Sequence, residues 1–137
     1  VDERKNEVRI LAVVSDEMRT RIGHQLEPLN AKIECAAKAA EIARLVSEGN
    51  IFEVAILPAA LPNAEWWALW GELSLLYPRP AILVYARVAT FELWTSVLDL
   101  GGYDIVVDPF SDHEIQEAVR RAAQSFRNQL EGDALED

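Results

Sequence analysis

Apolar positions fall in short blocks that alternate with longer amphipathic stretches along the whole chain. "VRILAVV", at 8–14, is a nearly continuous apolar run rich in β-branched residues, which predicts a strand buried on both faces. Met18, Ile22 and Leu26, spaced by four, predict a helix from Asp16 to Glu27, with Ser15 as its N-cap and Pro28 at its end. "AKIECA", 31–36, reads as a shorter second strand with partial alternation. In "KAAEIARLVSEGN", 38–50, Ile42, Leu45 and Val46 turn inward and Gly49 closes the helix. "FEVAIL", 52–57, is the third strand, and its apolar run stops at Pro58. Asn63 stands where a third helix needs a cap. That helix carries Trp66, Trp67, Trp70 and Leu73, with Trp67, Trp70 and Leu73 expected on its inward stripe. "AILVYA", 81–86, is a fourth strand, and the helix from Thr90 to Leu100 ends at Gly101-Gly102. "YDIVVD", 103–108, is the fifth strand. "SDHE", 111–114, is a capping box that opens a long helix with Ile115, Ala118, Val119, Ala122 and Phe126 on one stripe.

Five strand–helix units in regular alternation predict an α/β fold: a parallel sheet with right-handed crossovers and helices on both faces. The 137 residues, half of them hydrophobic, suit one domain with a substantial core. We place it at 8–130, after a flexible N-terminal segment at 1–7 and before an acidic tail or linker at 131–137. A net charge of −10 argues against a nucleic-acid partner, because phosphate-backbone affinity needs clustered Lys and Arg. No apolar run approaches the roughly 18 residues of a membrane span, and the charged start is no signal peptide, so a cytoplasmic protein without a membrane partner is expected. A single cysteine, Cys35, leaves no internal disulfide and no zinc cluster, and reads as a small buried hydrophobe.

At this point the residues resemble a known family, the receiver domains of bacterial two-component response regulators. The resemblance spans about residues 8–127. "LDLGGYDIVVDPFSDHEIQEAVRRA" is similar to the family's closing helix–strand–helix pattern, and "VAILPAALPN" to its third strand and following loop. "VRILAVVSDEMR" resembles its first strand and acidic loop. The resemblance implies a three-layer, flavodoxin-like sandwich with strand order 2-1-3-4-5. It also implies the places of a phosphorylation site, and there this sequence departs from the family. The nucleophilic Asp falls on Pro58, which has no nucleophile. The magnesium-binding acids fall on Val14 and Ser15, with Asp16 one step further. The family's Thr or Ser falls on Tyr85, its switch aromatic on Ile105, and its Lys on Asp108, with the sign reversed. Pro109 is retained, and the resemblance implies a cis Asp108–Pro109 bond. These positions together imply a degenerate receiver, a pseudo-receiver.

Other chemistry has little to stand on. Asp16, Glu17 and Asp108 would make a cation site if the fold brought them together. The plainer reading is that Asp16 and Glu17 favour a helix N-terminus and Asp108 is solvated or hydrogen-bonded. His24 and His113 lie on separate helices without a Ser or Cys partner, so no catalytic residue is assigned. There is no phosphate-binding glycine pattern, and no metal or cofactor is called for. Glu53 reads as solvated. Surface contact remains. Leu93, Val97 and Leu100 form the inward stripe of the fourth helix, and Phe91, Trp94 and Leu98 a second one. Half of that helix is therefore apolar, more than the stripe of about 100° that a sheet covers. With Arg120 and Arg127 on the last helix, those three residues form the candidate interaction face. The family uses this face for dimers and partners, so a signalling protein or a second copy of the chain is the expected partner. The alternatives are a phosphorelay receiver with an atypical acceptor such as Asp16 or Asp108, and a cation or small-ligand binder at the same sheet edge.

Overall fold

In the computed structural model, which describes residues 7–136, the apolar runs become five parallel strands. The strands are β1 (Val8–Ala12), β2 (Ala31–Cys35), β3 (Val54–Pro58), β4 (Ala81–Ala86) and β5 (Asp104–Val107). The helices are α1 (Asp16–Gln25), α2 (Ala39–Ser47), α3 (Asn63–Ser74), α4 (Phe91–Asp99) and α5 (Asp112–Glu136). The sheet order is β2-β1-β3-β4-β5, the flavodoxin-like order that the resemblance implied. The register pairs Ala12 with both Cys35 and Ile56, and Pro58 with Tyr85.

Alternation along each strand sends successive residues to opposite faces and makes two cores. Ile10, Val54, Ile56, Leu83 and Val106 pack with Ile22 of α1, Leu26 just past its end, and Ile115 and Val119 of α5. Leu11, Ala55, Leu57, Ile82, Val84 and Ile105 pack with Ile42 and Leu45 of α2, Leu69, Trp70 and Leu73 of α3, and Val97 of α4. The inner strands are covered on both sides, which is why they read as unbroken apolar runs.

Helix ends follow local chemistry. Ser15 Oγ accepts the Met18 N–H at 3.2 Å, Thr90 Oγ1 the Leu93 N–H at 3.1 Å, and Ser111 Oγ the Glu114 N–H at 3.1 Å. Behind α2, Gly49 takes φ +93° and the Asn50 amide donates to Leu45 O at 2.7 Å. Behind α4, Gly101 takes φ +87° while the Arg79 guanidinium donates to Leu100 O at 2.7 Å. A Cβ on Gly102 would collide with Val97.

Several expectations need correction. α1 ends at Gln25, and Glu27–Leu29 form one 3-10 turn around Pro28, whose ring blocks continuation of the helix. Pro62, not Asn63, precedes α3, and no side chain caps that helix. Trp67 is 58% exposed; the buried stripe of α3 is Leu69, Trp70 and Leu73, with Trp66 packed beside it. Backbone of the segment 131–136 continues α5. Of the expected flexible segment 1–7, residues 1–6 lie outside the described residues. No described helix is long and apolar enough to cross a membrane.

Candidate functional site

The carboxyl ends of β1, β3, β4 and β5 bring Ser15, Asp16, Pro58, Tyr85 and Asp108 to one edge of the sheet. Val14 is half-buried against the α1/α5 core, and Ser15 is committed to capping α1. Asp16 is exposed in the first turn, where a carboxylate meets the positive end of the helix dipole. Pro58 closes β3 without breaking the sheet. Bonding direction alternates along a strand: Val13 N–H reaches Ile56 O at 2.9 Å, and Ala59 N–H reaches Tyr85 O at 2.9 Å. The N–H that proline lacks would therefore face β1 just past the last paired residues, Ala12 and Ile56. Ile105 is buried on the α2–α3–α4 side. The Asp108–Pro109 bond is cis, as the resemblance implied.

Asp108 is not free. Its carboxylate pairs with Arg21 of α1, and its N–H donates to Ala86 O at 2.8 Å. The Arg21 guanidinium also lies over the Phe110 ring, 4.6 Å from the centroid, a favourable cation–π arrangement. Tyr85 is half-buried near this pair. Burial raises its hydroxyl pKa above the ordinary 10.0, the Asp108 charge raises it further, and Arg21 offsets part of the rise. Arg21 was not singled out in the sequence. The available signal was its place: it is one turn from Gln25 and beside Ile22, at the rim of the buried stripe of α1. The three acids are not brought together; among the described residues no group of three or more His, Cys, Asp or Glu is arranged to hold a metal ion. Cys35 is half-buried, and its thiol pKa is pushed up mainly by burial.

The candidate interaction face is divided. Phe91 is 83% and Leu98 55% exposed, with Val88 and Val107 also standing out. Trp94, expected at the centre of the patch, is half-buried and packs against the core. Arg120 pairs with Glu117 one turn earlier on α5. Arg127 is taken up within the chain: its Nε donates to Glu53 Oε2 at 2.8 Å, which ties α5 to the start of β3. Glu53 is therefore ion-paired and not simply solvated as expected.

Solved structures share the fold. A Methanospirillum hungatei response regulator receiver domain protein superimposes with a TM-score of 0.73 at 22% identity, covering 89% of this chain and 98% of that one. The chemotaxis protein CheY4 of Vibrio cholerae gives 0.71 at 21% identity, over 85% and 98% of the two chains. The chain has the CheY-like receiver fold. A third receiver, from a Pseudomonas aeruginosa sensor histidine kinase, gives 0.69 at 20% identity over 86% and 98%, and that structure has a magnesium ion in its active-site cleft. At these identities the likeness is one of fold. No protein-family model matches the sequence, and no curated protein matches it. Within the receiver fold, the carboxyl edge of the sheet here presents a proline, a tyrosine and an Arg–Asp pair.

Proposed function

We propose that this is a non-phosphorylatable receiver-like domain, a pseudo-receiver, that works by protein–protein contact in bacterial signalling. The observation that carries the reading is Pro58. It ends the strand on which the family's phosphorylated Asp falls, and it offers no atom to phosphorylate. Asp108 adds to it. In place of a cation that would draw phosphate there is a carboxylate, already neutralised by Arg21. The surface side of the reading rests on Phe91 and Leu98, large apolar residues exposed on α4 beside exposed Val88.

The test is direct. The protein is incubated with acetyl phosphate and Mg²⁺, and its intact mass is measured. No added phosphate is expected; phosphate on Asp16 or Asp108 would overturn the reading in favour of an atypical receiver. The contact surface is tested by sedimentation of wild type against Phe91→Ser with Leu98→Ser. A dimer that becomes monomeric is expected. A wild type that is monomeric at every concentration removes the homodimer.

A further inference from the structure

The Arg21–Asp108 pair belongs to a longer seam. Arg21 lies on α1, and Asp108 just past β5, 87 positions later. Below the pair, the Arg21 guanidinium covers the Phe110 ring at 4.6 Å. Gln25, the next turn of α1, donates through Nε2 to Phe110 O at 3.2 Å. Gln116 of α5 then donates through Nε2 to Gln25 O at 2.8 Å. Phe110 itself is buried with Ile22, Leu26 and Ile115. The rim of α1 is thus joined, contact after contact, to the whole connection between β5 and α5.

We propose that Arg21 is a built-in latch that holds this connection in one arrangement with no phosphate or cation bound. The proposal rests on the pseudo-receiver reading, in which nothing external biases this edge. A two-state element needs a differential interaction to choose one state. Here the chain supplies it through one side chain. The guanidinium neutralises Asp108 and stacks on Phe110 at once, which a lysine would do poorly. Removing either charge leaves the other partly buried without its partner, so the contact loosens as a unit. The position of exposed Val107, next to Asp108, and of the α5 N-terminus then follows from α1. The surface formed there is constant and indifferent to phosphate donors.

Hydrogen exchange with mass spectrometry tests this on the full chain, in wild type, Arg21→Met, Asp108→Asn and the double variant. In each single variant, amides of 106–112 and 16–25 are expected to exchange at least about fivefold faster, with those of β1 and β3 unchanged. The double variant should be no faster than the faster single one, because a latch opens only once. Arg21→Lys should fall between wild type and Arg21→Met. Unchanged exchange in the single variants, or effects that add in the double, would overturn the latch. So would general acceleration that reaches β1 and β3, which would mark a merely structural pair. Phosphate incorporation into wild type would end the pseudo-receiver reading. The exchange pattern would still decide the latch separately.

Discussion

Asp108 takes its chemical character from a side chain 87 positions away. In the sequence it is an acid where the family has a base; in the fold it is half of an ion pair stacked on an aromatic ring. Glu53 changed in the same way, from a solvated acid to the partner of Arg127. Long-range pairings of this kind leave no local period to read. Tyr85 likewise takes its titration from its surroundings. Its folded-state pKa lies above the ordinary 10.0, so the native state keeps the phenol proton to higher pH than the unfolded chain. That contribution is complete below about pH 10 and declines as pH rises through the folded-state value. Cys35, raised from 9.0, has the same sign at a lower pH. Urea unfolding between neutral and strongly alkaline pH should show this decline, and Tyr85→Phe should make its upper part shallower. Gly102 is fixed by packing. Its missing Cβ is the space Val97 occupies, so Gly102→Ala should cost about 1–3 kcal/mol by the same measurement.

Helices were legible to the extent that their periodicity had one solution. On α1, α2 and α5 the apolar spacing named the buried face correctly, because each stripe was bordered by polar residues. α3 carries adjacent tryptophans, and Trp67, expected inward, is the exposed one. At 100° per residue, Trp66, Leu69, Trp70 and Leu73 fall within one narrow stripe, whereas Trp67 and Leu73 diverge widely. The structure agrees: Trp66 meets Trp70 edge-on, with centroids 5.5 Å apart, and Trp67 is exposed. α4 teaches the complementary lesson. Its second apolar stripe is real, but Trp94 in its middle leans on the core while Phe91 and Leu98 stay outside. Trp94→Ala should therefore lower stability, by about 1–3 kcal/mol for a half-buried aromatic, whatever it does to association. Phe91→Ala should change stability by less than about 0.5 kcal/mol. Thermal melts of both variants check the contrast. For this reason the association test uses Phe91 and Leu98 and leaves Trp94 intact.

Across the whole molecule, a sheet buried on both faces places the ends of four strands at one edge, and the receiver fold puts its chemistry there. In this chain that edge is closed by internal contacts. On the pseudo-receiver reading, acetyl phosphate with Mg²⁺ should leave the unfolding midpoint unchanged; a rise would show that the edge binds one of them. The sequence by itself determined the order of elements, the parallel sheet with two cores, most helix ends, and the fact that β3 ends in a residue without a nucleophile. These are local properties: hydrophobic period, capping chemistry and residue identity are written in neighbouring positions. Only the tertiary structure decided that Arg21 meets Asp108, that Arg127 meets Glu53, and that Trp94 turns inward. Each of those depends on how separate elements are set against one another, and a one-dimensional pattern says which face of an element is buried but not which side chain waits opposite.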